Sequence, residues 1–410
     1  MRLARRTGPS LSEQESSQYE FVYFAPNDIL VPRVDRQCII RFCDALRGEG
    51  VRVELVSLDV KLEFDEPTRT RSIWDVYGVA PRFTITILPS HATQSQGGPV
   101  HAVWRAVVYS LYAVRQTARK DATTVFYFKN YLFGFWLLAL RALNPRRTML
   151  LLEVHMPPNR RASRWLMRRV DGIIPISGIL RDELVDRFRV LPTRVMVAHQ
   201  GVDLDFVAAS TTAEPSRSDA TSRGRRPKAV YTGKVYAGYE EIDLLIAAAR
   251  LVPEVEMVIV GGRPDQVEML RDRQRQEGPS NLTFVGFVAP SDVFIYQAEA
   301  DLLITYYPSD IPLNKYRSPG KLFEYMASDR PIVSADMDAL KEVLSETCAF
   351  FVPPDRPDEL ARMIRYVIDN PIEAEAKAQA AHERVRGFTW STRATRVINF
   401  VESLETLRAR

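Results

Sequence analysis

The sequence predicts an α/β protein built from two doubly wound domains in tandem, and three observations carry that reading. Short runs rich in β-branched and aromatic residues alternate with segments of helical period. The runs are apolar nearly throughout, which is the pattern of parallel strands covered by helices on both faces. The alternation stops once, in a polar stretch near 208–227, and then restarts. A chain of 410 residues also exceeds one ordinary core of about 100–200 residues.

Residues 1–18 hold basic and polar side chains with no apolar run behind them, so a disordered tail is expected there. The first domain, 19–207, offers strands at FVYFAP (21–26), VRVELVSL (51–58), RFTITIL (82–88), TVFYFKN (124–130), TMLLLEVH (148–155), GIIPIS (172–177) and RVMVAH (194–199). Helical periodicity fills 34–48, 102–118 and 161–170. The apolar YLFGFWLLAL at 131–140 is shorter than the roughly 20 residues of a membrane span and reads as a buried helix. Residues 208–227, rich in Ser, Thr, Arg and Pro, read as a linker. The second domain, 228–387, has strands at KAVYTG (228–233), VEMVIVGG (255–262), LTFVGF (282–287), ADLLITYY (300–307), RPIVSAD (330–336) and CAFFVPP (348–354). Residues 388–410 read as a closing helix. Open parallel sheets bind ligands beyond the carboxyl ends of their strands, so strand-to-helix loops are where chemistry is expected.

Composition narrows the function. Three cysteines build no disulfide framework and fit a reducing cytoplasm. The five histidines form no HExxH or CxxC-type arrangement, so no metal or other cofactor is expected. No GxSxG elbow, GxGxxG or GxxxxGK[ST] occurs. The net charge of +4 is uneven: residues 1–200 hold 29 Lys and Arg against 19 Asp and Glu. That excess lacks the interleaved aromatics of a single-strand platform, so no nucleic-acid partner is expected. It permits contact with an anionic surface, and it also fits ordinary surface variation.

Three stretches bear candidate chemistry, and a fourth, 172–207, delivers His199, Gln200, Gly201, Val202 and Asp203 into a loop just before the polar linker. In SPGKLFEYMASDRPIV (318–333), Ser318 suits a helix cap and Pro319 its first turn. The free N–H groups near Gly320 and the positive helix end attract phosphate. Lys321 is misplaced for helix stability there, and an adjacent polyanion explains it. Glu324, on the same face, suits sugar hydroxyls; the competing reading is a weak surface pair. In KAVYTGKVYAGYEE, Gly233 at a strand end lets a ligand approach the backbone, Lys234 is a point charge for phosphate, and Gly238 follows in the turn. In LLLEVH, Glu153 and His155 lie on one side of a strand end, where His155 is either an acid/base group or a satisfied structural residue. Behind it, Arg160, Arg161, Arg164, Arg168 and Arg169 surround Trp165, which suits anionic lipid or a phosphorylated acceptor as well as plain solvent.

Taken in order, these residues resemble the retaining GT-B sugar transferases of glycosyltransferase family 4 (group 1), over roughly residues 20–410. The landmarks are the histidine after a mid-domain strand, IPIS, GVD, YTGK, VIVGG, FVGFV, AEADLLI, the Ser-Pro-any-Lys-Leu-Phe-Glu-Tyr helix and FTWSTRA. The resemblance implies two Rossmann-like domains facing across a cleft, with residues 388–410 crossing back to the first. It implies a nucleotide-diphosphate sugar donor, UDP- or GDP-linked, and a sugar, lipid-linked or small-molecule acceptor hydroxyl. Transfer would retain configuration and need no metal. Glu324 would bind the ribose, Lys234 and Lys321 the diphosphate, Phe287 and Val288 the base, and His155 the transferred sugar.

Three departures are visible. Tyr316 stands where the family's first glutamate is expected, and Tyr239, Glu240 and Glu241 where a second phosphate lysine is expected. PNDILVPRVDR (26–36) replaces a glycine-rich loop, with Asn27 and Arg33 as candidates for acceptor or phosphate. The same motifs admit a sugar-nucleotide 2-epimerase or a non-catalytic nucleotide-binding homologue. The expected location is cytoplasmic, with peripheral contact at the inner membrane face compatible with the basic region.

Overall fold

The computed structural model describes residues 5–10, 14, 17–25, 29, 34–61, 72–93, 99–117, 122–142, 144–145, 147–211, 225–235 and 240–409. Its contacts divide the chain into two compact units, Met1–His199 with Trp390–Arg410, and Gln200–Thr389. In chain order the first unit contains β1 (Arg5–Thr7), β2 (Tyr19–Phe24), α1 (Val34–Gly48), β3 (Arg52–Lys61), α2 (Ile73–Tyr77), β4 (Thr84–Thr93) and α3 (Pro99–Thr117). It continues with β5 (Thr123–Phe128), α4 (Tyr131–Arg141), β6 (Thr148–Val154), α5 (Arg161–Met167), β7 (Gly172–Pro175) and α6 (Gly178–Asp186). The second unit contains α7 (Leu204–Thr211), β8 (Lys228–Thr232), α8 (Glu240–Leu251), β9 (Glu256–Val260), α9 (Pro264–Glu277), β10 (Leu282–Gly286) and α10 (Pro290–Ala298). Then come β11 (Leu302–Thr305), α11 (Gly320–Ala327), β12 (Ile332–Ala335), α12 (Asp338–Lys341), β13 (Phe350–Val352), α13 (Pro357–Asp369) and α14 (Pro371–Val385). The last helix, α15 (Trp390–Ala409), belongs to the first unit.

The first sheet runs β1-β4-β3-β2-β5-β6-β7 and the second β10-β9-β8-β11-β12-β13. Apart from β1, the first sheet's pairs are all parallel, and so are all pairs of the second. Each sheet grows outward from its first parallel strand in both directions, the doubly wound order that places a switch point between β2 and β5 and between β8 and β11. The cause is readable in β2, β5 and β6, every residue of which is buried, as strands covered on both faces require. Local caps fix the helix starts: Asn130 accepts from the Phe133 N–H at 3.1 Å and Ser177 from Leu180 at 3.4 Å.

Several expectations are corrected. The described part of the expected tail is ordered: β1 pairs antiparallel with β4, and Gln14 exchanges side-chain bonds with the Val53 backbone. An edge strand is held by backbone bonds, so its polar sequence hid it. The stretch 194–199 forms no strand; it makes a short 3₁₀ turn at Pro192–Arg194 and a single bridge, Ile173 to Val195. The units divide at 199/200 and 389/390, not after 207 and 387. Val202 bridges Thr389, and Phe206 on α7 packs edge-on to Phe294 at 5.7 Å, which ties 200–211 to the second unit. YLFGFWLLAL is a helix but only half-buried: Phe133 and Leu137 face inward, whereas Leu132 and Trp136 are exposed. Asn27, Arg33, Gly238 and most of the expected linker lie outside the described residues.

Candidate functional site

In the second unit, the carboxyl ends of neighbouring strands are stitched by backbone bonds. The Gly233 N–H donates to Val260 and the Gly261 N–H to Gly286, at 3.0 and 2.8 Å. Gly261 has φ +124°, and a Cβ there would sit 2.0 Å from the Gly233 carbonyl oxygen. Only glycine fits that approach. Gly261→Ala is therefore expected to cost at least about 2 kcal/mol and to distort the strand end, a change measurable by urea unfolding.

At the switch point between β8 and β11 lies the ammonium of Lys321. It sits 3.7 Å from the Tyr231 ring centroid on β8 and 4.8 Å from that of Tyr307, just beyond β11. A Cβ at Gly233 would stand 2.9 Å from the Tyr231 hydroxyl and, at ordinary contact distance, 3.4 Å from Nζ. Lys321 donates to Glu241 at 3.0 Å, and both side chains are buried. Burial alone would depress the amine, but Glu241, followed by the Tyr307 and Tyr325 hydroxyls, holds it above its ordinary value and fully charged. The cation at the start of α11 thus has a protein carboxylate beside it, where the sequence pattern pointed to an adjacent polyanion. Glu241 in turn lies in the first turn of α8, where an acid is favoured. Its second oxygen, Oε2, is buried and has no hydrogen-bond partner among the described residues.

The helix start is more open than the sequence implies. Pro319 occupies the cap position and no side chain caps α11. Ser318 does not cap; its hydroxyl accepts the Gln200 backbone N–H at 3.2 Å, fastening this loop to the residue that opens the unit. The Gly320 and Lys321 N–H groups are thereby left without a side-chain cap at the positive end of the helix. One turn on, desolvation raises the Glu324 carboxyl above its ordinary value, against Gln297, whose amide donates at 3.4 Å, and against the Lys321 charge. Tyr325 accepts from the Thr232 N–H at 2.8 Å, locking α11 to β8, and burial pushes its phenol up to about 12. Lys234 is exposed just past β8, Phe287 is exposed past β10, and Val288 packs partly against the core. Tyr316, at the position of the missing glutamate, is buried in the 3₁₀ turn Pro312–Tyr316. The structure thus gathers Gly233, Gly320, Lys321 and Glu324, and adds Tyr231, Glu241, Gln297 and Tyr307, which sequence reasoning passed over. Tyr231 and Tyr307 were legible as strand-end aromatics; Glu241 was seen only as a departure.

The first unit holds a separate polar centre. Glu153, at the end of β6, is buried and saturated. Its Oε1 receives His155 Nε2–H at 2.6 Å and the Lys129 ammonium at 2.9 Å. Its Oε2 receives Arg393 from α15 at 3.2 Å and the Tyr127 hydroxyl. Although burial opposes it, Lys129 and Arg393 hold this carboxyl well below the ordinary range. Desolvation and the Lys129 charge keep His155 below its usual value and neutral. Its side chain is 39% exposed, so the ring is oriented by Glu153 while still reachable. Arg393 also donates to the Ala198 carbonyl at 2.6 Å. The final helix therefore completes the support of His155, a role that FTWSTRA alone did not disclose. Among the described residues no three His, Cys, Asp or Glu side chains gather as a metal site.

Comparison with known proteins agrees in both units. The family model for glycosyl transferases group 1 matches residues 226–370, and that for glycosyltransferase family 4 matches residues 37–206. Glycogen synthase of Mycobacterium tuberculosis is 26% identical over 239 residues, covering 56% of this chain and 54% of that protein. Phosphatidyl-myo-inositol mannosyltransferase of the same species is 28% identical over 256 residues, covering 59% and 62%. The alpha-D-kanosaminyltransferase of Streptomyces kanamyceticus is 25% identical over 253 residues, covering 59% and 62%. The match spans about half to three-fifths of the length of these curated relatives. Among solved structures, Anabaena HepE in complex with UDP and glucose superposes with a TM-score of 0.66 at 15% identity, covering 94% of this chain and 99% of that one. Sucrose-phosphate synthase from Thermosynechococcus elongatus gives 0.69 at 16%, covering 95% and 100%. The fold is shared with both.

Proposed function

The chain belongs to the group 1 glycosyltransferases of GT-B fold, and on that premise we propose that it transfers a hexosyl group from a UDP- or GDP-linked sugar to an acceptor hydroxyl with retention of configuration. The observation that carries this is the buried, charged Lys321 at the sheet's switch point, beside the uncapped start of α11. A departing diphosphate needs positive charge and N–H donors where its own charge grows, and such preorganised groups are often the largest catalytic term. Lys321 and the Gly320 N–H group supply them, with exposed Lys234 as a second cation. The bond from the anomeric carbon to the diphosphate oxygen breaks with its electron pair going to the phosphate. The acceptor oxygen bonds to that carbon on the same face and yields its proton to the leaving oxygen.

Glu324 accepts from the ribose hydroxyls, its carboxyl held above the ordinary range by burial. The backbone of Phe287 and Val288 reads the base. For His155 the reading assigns contact with the transferred sugar, the ring being held by Glu153. That relatives are named as synthases and transferases of sugars, and that HepE was solved with UDP and glucose, supports the donor class. Asn27 and Arg33 stay with this proposal as acceptor or phosphate contacts.

A thermal-shift panel of nucleoside diphosphates, followed by assay of nucleoside diphosphate release with and without acceptor sugars, tests the reading. UDP or GDP is expected to raise the midpoint, and release is expected to depend on acceptor. Turnover of the nucleotide sugar to an isomer without acceptor would instead indicate an epimerase.

A further inference from the structure

We propose that the α3–α4–α5 face of the first unit docks on an anionic lipid bilayer, an interaction independent of the donor-site reading. The three helices form one layer over the sheet. Tyr109 of α3 meets Phe133 of α4 at 5.5 Å, and Phe135 of α4 stacks on Trp165 of α5 at 5.8 Å. Their inner sides fill the core, as the burial of Tyr109, Phe133 and Leu166 shows. Their outer sides are unusually apolar. Val103, Trp104, Leu111 and Val114 of α3, Leu132 and Trp136 of α4, and Trp165 of α5 are all exposed, Leu111 at 66%, Trp136 at 48% and Trp165 at 46%. A patch of this kind marks an interaction surface rather than scattered exposure.

Charge decides the occupant. None of the three helices contains an Asp or Glu. Residues 99–170 hold 13 Lys and Arg against two acids, Asp121 and Glu153. Glu153 is buried and already shared by Lys129 and Arg393, so it offers the surface no negative charge. Arg160, Arg161, Arg168 and Arg169 are exposed, and the Arg169 guanidinium lies 3.9 Å over the Trp165 ring, placing cation and aromatic at one spot. A second copy of the chain seated face to face would oppose like charges. A partner that is anionic at its surface and apolar beneath satisfies both halves of the patch, and a bilayer of acidic lipid is such a partner. No helix among the described residues is long and apolar enough to cross the membrane, so the contact is interfacial.

Flotation of the full chain with vesicles of phosphatidylglycerol and phosphatidylcholine in equal parts, against phosphatidylcholine alone, tests this. Binding to the anionic vesicles is expected to exceed binding to neutral ones at least about tenfold and to fall as salt rises toward about 0.5 M. Two variants, Trp136→Ser with Trp165→Ser and Arg160→Glu with Arg161→Glu, are each expected to lower it about tenfold at an unchanged melting midpoint. Absence of flotation, equal binding to both vesicles, or wild-type binding by the charge variant would overturn the proposal. So would a dimer in sedimentation that the tryptophan variant dissolves while vesicle binding is nil.

Discussion

Lys321→Ala is expected to lower nucleoside diphosphate affinity and turnover at least about a hundredfold, the scale seen when one preorganised charge-stabilising group is removed. The same substitution strands Glu241, whose buried carboxylate has Lys321 as its ion-pair partner. An uncompensated buried charge costs about 3–5 kcal/mol, so unfolding in urea is expected to shift by that order. The two effects separate in the double variant. Lys321→Ala with Glu241→Gln is expected to recover most of the stability and none of the binding. Glu241→Gln alone is expected to tighten nucleoside diphosphate binding several-fold, because a carboxylate no longer competes for the ammonium. Should the single lysine variant bind UDP and GDP as wild type does, the donor site is elsewhere.

Glu153→Gln is the second large effect. It leaves Lys129 and Arg393 facing a neutral amide in a buried site, and a loss of about 3–5 kcal/mol is expected. The acid limb of the stability curve changes with it. Glu153 titrates well below its ordinary value in the folded protein, so the unfolded chain binds its proton first as pH falls. The stability this group contributes is present in full above the unfolded carboxyl range near 4.5 and is lost progressively below it. His155, lowered from 6.5, acts in the same direction: its contribution is full above that value and fades as pH drops past it. Melting midpoints are therefore expected to fall from pH 7 toward pH 4 as the His155 contribution fades, and below about pH 4.5 to fall less steeply in Glu153→Gln than in wild type. Because His155 is oriented by this carboxylate, turnover is expected to fall as well, whereas nucleoside diphosphate affinity, set in the other unit, is expected to stay near wild type.

Much of the fold was legible because its signals are local. The largely apolar β2, β5 and β6 and the intervening helical periods announce buried parallel strands without reference to the rest of the chain. The edge strand β1 was not legible, since its three residues, RRT, pair through backbone and carry no apolar pattern. Nor was the true division of the chain: Val202 and Thr389 are distant in sequence, and their bridge has no local signature. The same distinction governs the site. Lys321, Gly233 and Glu324 sit in motifs that mark helix starts and strand ends. Glu241 joins Lys321 across 80 positions and Arg393 joins Glu153 across 240, and pairing at such separation depends on topology rather than on neighbouring residues. The lysine's odd place at a helix start was visible; the protein carboxylate that balances it was not.

Lys321 is expected to release Glu241 when it holds a diphosphate at the start of α11. A crystal structure of the chain with UDP or GDP tests it most directly. The expected result is a phosphate oxygen within hydrogen-bond distance of Lys321 Nζ and of the Gly320 N–H, with the Glu241 contact lengthened or lost. A nucleotide bound elsewhere, with Lys321 still closed on Glu241, would contradict it.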